Sequence, residues 1–203
     1  MPTRIILIRH GQTDWNTQMR YQGSKNMPLN ATGMSQASLL GRRMKNEKVT
    51  KVYASTMKRA NDFASIIFGQ TDIEPVPELR EISFGMFEGM SYDEIMHKHP
   101  DIYSKWVKDP LNLTVPGGED PKSFKKRVLT AFDRIEASAG SDGYTAVVTH
   151  GGPISVIVNS VAGEKSFWDN IPHTGSISII EDKGGERRIK SFDDTSHLIP
   201  RDQ

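Results

Sequence analysis

The chain reads as an α/β protein, a three-layer sandwich in which a mostly parallel central sheet is flanked by helices on both faces. Three observations predict this. Apolar runs rich in β-branched residues occur at 3–8, 52–54 and 144–149. A stretch with helical spacing follows each of them after a turn or loop. The resulting order β, α, β, α needs crossover connections, and these set neighbouring strands parallel.

The elements follow in turn. The first strand, 3–8, runs into a polar, turn-rich stretch that lasts through Leu29. Residues 33–48 then place Met34, Ala37, Leu40 and Met44 on one helical face. A short strand at 52–54 precedes a helix over 57–68 that presents Ala60, Phe63, Ala64 and Ile67 to a core. Between about 90 and 120, helical pieces at 92–97 and 103–107 are separated by Pro100 and closed by DPLNLTVPGGED, which reads as a short flap-like insertion. Asp120 and Pro121 form an N-cap and first-turn pair, below which Phe124, Val128, Phe132 and Ile135 continue a helical stripe. A strand at 144–149, a His150-Gly151-Gly152 turn and a helix over 153–161 come next. Two last strands, 176–181 and 188–192, join through Lys183-Gly184-Gly185. With no repeat, low-complexity tract or linker, residues 1–203 are expected to form a single domain.

Composition excludes several classes of function. A net charge of +1 leaves no dominant field, so nucleic acid is not an expected partner. The absence of cysteine rules out disulfides, thiolate catalysis and cysteine-ligated zinc. The apolar start at 5–8 is shorter than a signal-peptide core, and the stretch 154–162 is broken by Ser155, Asn159 and Ser160, so no membrane association is expected. A cytoplasmic location fits these features, and a homodimer is compatible with them.

The chemistry concentrates in IRHGQTDWN, residues 8–16, where a strand delivers Arg9 and His10 into a glycine turn. An arginine fork fits phosphate oxygens, and Gly11 lets the backbone come close to a ligand. His150 stands in a matching place, after AVVT and before glycine. In a parallel α/β sheet ligands gather beyond the carboxyl ends of the strands, so both imidazoles should approach one crevice. Arg59, at the start of the helix after the 52–54 strand, can reach it, and that helix start adds free N–H groups and a positive dipole end. A proton donor is expected from Glu78, Glu81 or Glu88 in PELREISFGMFEG, where an apolar wall such as Phe84 or Phe87 would help a carboxyl keep its proton. Spacing alone does not choose among the three.

These motifs resemble the histidine phosphatase superfamily, the group that includes cofactor-dependent phosphoglycerate mutases. The resemblance spans nearly the whole chain, through RHGQTDWN (9–16), RYQG (20–23), LNATG (29–33), AST..RA (54–60), LREISFGMFEG (79–89), PGGED (116–120), VVTHGG (147–152) and FDDTSHL (192–198). It implies that His10 is the nucleophile, that Arg9, Arg59 and His150 clamp the transferred phosphoryl group, and that Glu81 donates the proton. By the same resemblance Asn16 and Gln22 add hydrogen bonds, Gly151 joins the phosphate-binding set, and Glu88 is structural. The expected reaction is metal-independent hydrolysis of a small phosphorylated metabolite through a phosphohistidine, with no cofactor and with a protonated His150 matched to the transition-state charge.

Other readings are weighed beside this one. The modest 90–120 insertion favours hydrolysis over a phosphoglycerate mutase, and a catalytically silent phospholigand-binding module is opposed by the complete set of reactive residues. Many relatives carry an arginine where this chain has Ile154-Ser155, and asparagine where it has His173. His97 and His99 lack the i, i+4 spacing of a metal pair and are expected in solvent. His173 and His197 are expected to be structural or peripheral. Met86, Met90, Met96, Tyr92, Tyr103 and Trp106 fit either a substrate pocket or packing beneath a flap.

Overall fold

The computed structural model describes residues 2–69, 71–110, 112–163 and 167–199. Its sheet is built around β1 (Thr3–Arg9), which pairs parallel with β4 (Tyr144–Thr149) and antiparallel with β5 (Ile177–Lys183). Among the described residues the strand order is β3 (Ile73–Val76), β2 (Val49–Ser55), β4, β1, β5, β6 (Glu186–Asp194). The first four strands run parallel and the last two form an antiparallel hairpin, as expected for a mostly parallel sheet.

Alternation along β1 separates the two faces. Ile5 and Leu7 pack with α6 (Pro121–Ser138) and α7 (Gly151–Ala162) through Phe124, Val128, Phe132, Ile154 and Ile157. Ile6 and Ile8 point the other way, to α2 (Ala31–Met44) and α3 (Lys58–Phe68), where Ala37, Leu40, Ala60 and Phe63 meet them. Strand residues of alternate parity must face opposite sides, so one buried run serves two helical layers.

Helix α2 and one edge of the sheet differ from expectation for local reasons. Helix α2 starts at Ala31 because Asn30 caps it, accepting from Gly33 N at 2.9 Å, and Met34 then turns outward with 48% of its surface exposed. Strand β3 was not expected at all. It is four residues long and contains Pro75, which an edge strand tolerates because its missing N–H can face away from the ladder.

The 90–120 region holds α4 (Tyr92–Lys98) and α5 (Pro100–Lys108). Together with Phe87 and Val115, buried Ile95, Tyr103 and Trp106 form a third apolar cluster, against which Met86, Met90 and Met96 pack. Of the two readings weighed for these residues, packing accounts for Tyr103, Trp106 and the three methionines, while Tyr92 is exposed. No helix among the described residues is long and apolar enough to cross a membrane.

Candidate active site

The parallel pairing of β1 and β4 sets Arg9 opposite Thr149, so His10 and His150 leave the sheet at the same level. The His10 backbone N–H closes the ladder onto the Thr149 carbonyl at 3.0 Å, and the two imidazole centroids lie 5.1 Å apart. Arg59 comes in from the first turn of α3. Its Nε donates to His10 Nε2 at 3.1 Å, Nη1 to the Lys25 carbonyl at 2.7 Å and Nη2 to the Gly23 carbonyl at 3.0 Å. Arg9 is held from the opposite side, where Nη1 donates to the Pro172 carbonyl. A cavity of about 270 Å³ has Arg9, His10, Asn16, Gln22, Arg59, Glu81 and Gly151 on its walls, with Tyr21, Phe84, Trp168 and Ile171 as its apolar side.

The hydrogen bonds define the tautomer of His10. Nδ1 faces the Gly11 carbonyl at 2.7 Å and must carry the proton, because a carbonyl only accepts. Nε2 receives the Arg59 N–H and therefore holds the lone pair. Burial, then Arg59 and Arg9, push the His10 pKa well below the ordinary imidazole value, which keeps the ring neutral near neutral pH. His150 is fully buried behind it, with Nε2 2.8 Å from Ser55 Oγ. Burial and the same two arginines lower its pKa as well. The protonated His150 expected from the sequence belongs to the transition state; in this structure burial, Arg59, His10, Arg9 and Arg127 all favour the neutral ring.

Glu81 stands across the cavity on the loop after β3. Its Oε2 accepts from Gly152 N at 3.2 Å and its Oε1 from Ile82 N at 3.0 Å. Burial raises its pKa above the ordinary carboxyl value, against the opposing pull of those N–H groups and of Arg59 and Arg9. Gly152 is required here for space, since a Cβ at that position would stand 2.2 Å from Glu81 Oε1. Gly11 likewise serves close packing: a Cβ would meet Phe63 at 2.6 Å and the Gly33 carbonyl at 2.7 Å.

The other expected residues divide clearly. Asn16 lines the cavity while its side chain closes a capping box with Thr13, and Gln22 Oε1 is buried there with no protein partner. Arg9 Nε and His150 Nδ1 are also buried without a protein partner; Arg9 lines the cavity, whereas His150 is not on its wall. Glu88 binds Ser24 N at 2.7 Å and Phe84 N at 3.1 Å, which ties two loops together as a structural carboxylate does. Glu78 lies outside the cavity, 3.4 Å from Arg134. His97 is exposed, and His173 is a largely exposed partner of Asp193. His197 Nε2 contacts the Gly175 carbonyl at 3.0 Å, and Gly175 N in turn contacts the Arg9 and His10 carbonyls, so its place is structural. Residue-by-residue reading missed Ser55, Gly152, Trp168 and Ile171. The glycine-histidine motif pointed toward Gly152, whereas Trp168 and Ile171 carry no local signal.

Comparison with known proteins bears on the family and the fold. The profile of the histidine phosphatase superfamily (branch 1) matches residues 5–195. The chain is 32% identical over 202 residues to a metal-independent phosphoserine phosphatase of Arabidopsis thaliana, covering 97% of this chain and 83% of that one. It is 30% identical to phosphoserine phosphatase 1 of Hydrogenobacter thermophilus, covering 96% and 94%. The solved structure of Bacillus stearothermophilus YhfR superposes with a TM-score of 0.89 at 29% identity, covering 97% of this chain and all of that one. The chain belongs to the histidine phosphatase superfamily, with that family's phosphoglycerate mutase-like fold. It is a phosphatase-type hydrolase.

Proposed function

We propose that this protein is a metal-independent phosphomonoester hydrolase that works through a phosphohistidine on His10, with Glu81 as general acid and base. In the first step Arg59 turns its Nε–H from His10 to the phosphoryl oxygens, the freed Nε2 lone pair of His10 attacks phosphorus, the ester P–O bond breaks, and Glu81 passes its proton to the departing alkoxide. In the second, water attacks the phosphohistidine, Glu81 takes the proton, and the N–P bond breaks to return His10 with inorganic phosphate. Arg9, Arg59 and His150, with Asn16, Gln22 and the Gly151 N–H at the start of α7, would hold the charge that spreads over the equatorial oxygens.

The observation that carries this reading is that His10 and Glu81 line one cavity with Arg9 and Arg59, and opposite pKa shifts accompany that geometry. The first step needs a neutral imidazole and a protonated carboxyl at once. With ordinary values of about 6.5 and 4.3 that combination is rare at any pH. Burial lowers the imidazole and raises the carboxyl, which populates the reactive form.

The substrate class is a small phosphorylated metabolite, and phosphoserine, named for two relatives, is the first to test. We also read the whole chain as one catalytic domain in which the 90–120 segment is an insertion beside the site. The deciding experiment is turnover of an aryl phosphate and of phosphoserine with and without a chelator, beside acid-labile labelling of the protein. Chelator-resistant phosphate release is expected, and His10→Ala should lose both turnover, by about 10⁴-fold or more, and labelling. Normal turnover in His10→Ala overturns the reading. Isomerisation of phosphoglycerate with its bisphosphate primer, in place of hydrolysis, would mark a mutase instead. Silence on every ester would mark a binding module.

A further inference from the structure

Arg127, on α6, is not among the residues lining the cavity that holds His10; with Glu81 and Glu119 it lines a second cavity of about 410 Å³, and its guanidinium is shared between Glu119 and the loop that carries Glu81. Nε and Nη2 grip the two carboxylate oxygens of Glu119 at 2.6 and 2.8 Å. Nη1 donates to the Glu78 carbonyl and, at 2.8 Å, to the Arg80 carbonyl. Nη2 also reaches the Glu81 carbonyl at 3.3 Å, while the Phe124 ring supports the group from below, 4.9 Å from its carbon. Neighbouring carbonyls are held too: Thr149 Oγ1 donates to that of Leu79 at 2.7 Å, and Glu119 N to that of Ser83 at 3.0 Å.

Five carbonyls between residues 78 and 83 are thus anchored to α6, to the last residue of β4 or to the 119 position. This grip is much denser than the carboxyl's own. Glu81 accepts one N–H from α7 and one from its immediate neighbour, so the carboxyl's place follows largely from its backbone.

We propose that Arg127, locked by Glu119, is a positioning residue for Glu81: it clamps the backbone of the 78–81 loop so that the carboxyl meets the leaving oxygen. This rests on the reading of Glu81 as general acid. A misplacement of about 1 Å at a reacting group costs on the order of 10²-fold, so a clamp outside the cavity has leverage on the chemistry.

The readout is dependence on the leaving group. An aryl phosphate such as p-nitrophenyl phosphate departs as a stable anion and needs little protonation. An alkyl phosphate such as glycerol phosphate needs it fully. In the intact chain, Arg127→Ala should lower kcat/KM, which reports P–O cleavage and not the later hydrolysis that Glu81 serves for both esters, by about 30-fold on the alkyl ester, part of the 10²–10⁴-fold that a general acid contributes, and by less than about threefold on the aryl ester. Glu119→Gln, which keeps the side-chain volume, should show the same preference more weakly. A folded Arg127→Ala enzyme that loses both esters equally, or neither, overturns the proposal. If that variant does not fold, Glu119→Gln decides by the same ratio. Glu81→Gln is the reference. Should it show no leaving-group dependence, the acid reading fails and takes the clamp with it. If only Glu81→Gln is selective, the clamp alone is refuted.

Discussion

Arg59 and Arg187 carry the same guanidinium and are displaced in opposite directions. Arg59 is 1% exposed at the head of α3, its hydrogen-bond partners are an imidazole nitrogen and two carbonyls, and burial lowers its pKa to about 10. Arg187, on β6, faces the carboxylates of Glu136 and Asp133 over the Phe132 ring, and those carboxylates raise its pKa. The sheet thus uses one side chain for two ends. On the hairpin the charge is answered by opposite charge and held at the surface. At the carboxyl end of β1 and β4 it is buried beside Arg9, a like charge, with Glu88 and with Glu81, a carboxyl itself pushed toward its neutral form, as the nearby acids. Buried like charges and neutralised acids weaken a fold, so their concentration at one place marks where stability is traded for chemistry.

The sharpest way to break that contrast is to keep the charge at position 59 and remove its fork. In Arg59→Lys a single ammonium replaces donors that now reach His10, Lys25 and Gly23 at once, and a planar pair of N–H groups is lost to the phosphoryl oxygens. We expect kcat/KM to fall by about 10²-fold or more, as when one preorganised donor is removed from a transition state. Steady-state kinetics on an aryl phosphate check this. Full activity in the lysine variant would mean that charge alone is used there, and the geometric part of the contrast would fall.

Much of this site was legible because its signals are local. Strands 3–8 and 144–149, each ending in histidine and glycine, announce both themselves and their meeting, since parallel neighbours bring equivalent residues to the same edge. Helix α3 was legible from apolar spacing, and α6 from such spacing together with its Asp120-Pro121 start. Glu81 was harder: three glutamates share one loop, and only resemblance separated them. What selects Glu81 physically is a contact with Gly152, 71 residues away, which no window of sequence contains. Strand β3 escaped for a related reason. Four residues with a proline have little intrinsic strand character, and their pairing comes from the edge of β2 that they cover. Arg127 carries no signal in the sequence, because its carbonyl partners near residue 80 are set by tertiary packing. The depth of the His150 ring and the nearness of the arginines to it were not legible, because both are set by tertiary packing.

The second test concerns the cost side of the comparison. His10 and His150 have folded-state pKa values well below the ordinary 6.5, so between those limits the unfolded chain binds protons that the native state refuses. Stability from these neutral rings is complete above about 6.5 and is lost as pH falls toward the folded values. Each ring adds a slope of up to about 1.4 kcal/mol per pH unit in that window. Denaturant unfolding at a series of pH values from 7 downward should show the decline, and His150→Asn should make it shallower. A variant with an unchanged slope would remove His150 from the set of strained groups.

The smallest effect is expected on the hairpin. Arg187→Gln removes a guanidinium that is 30% exposed from two carboxylates, of which Asp133 is 57% and Glu136 14% exposed. Exposed pairs gain little because water solvates the separated ions nearly as well and the long side chains lose freedom in pairing. Stability should drop by less than about 1 kcal/mol, with part of that coming from lost contact of the side-chain stem over Phe132. Turnover should be unchanged, because β6 meets the sheet only through β5 and this end of it pairs with Asp182, beside the start of β1 and away from His10. Raising the salt concentration should narrow the stability difference between the two proteins. A kinetic loss in Arg187→Gln would show that the two ends of the sheet are coupled, and the division of labour between Arg59 and Arg187 would have to be abandoned.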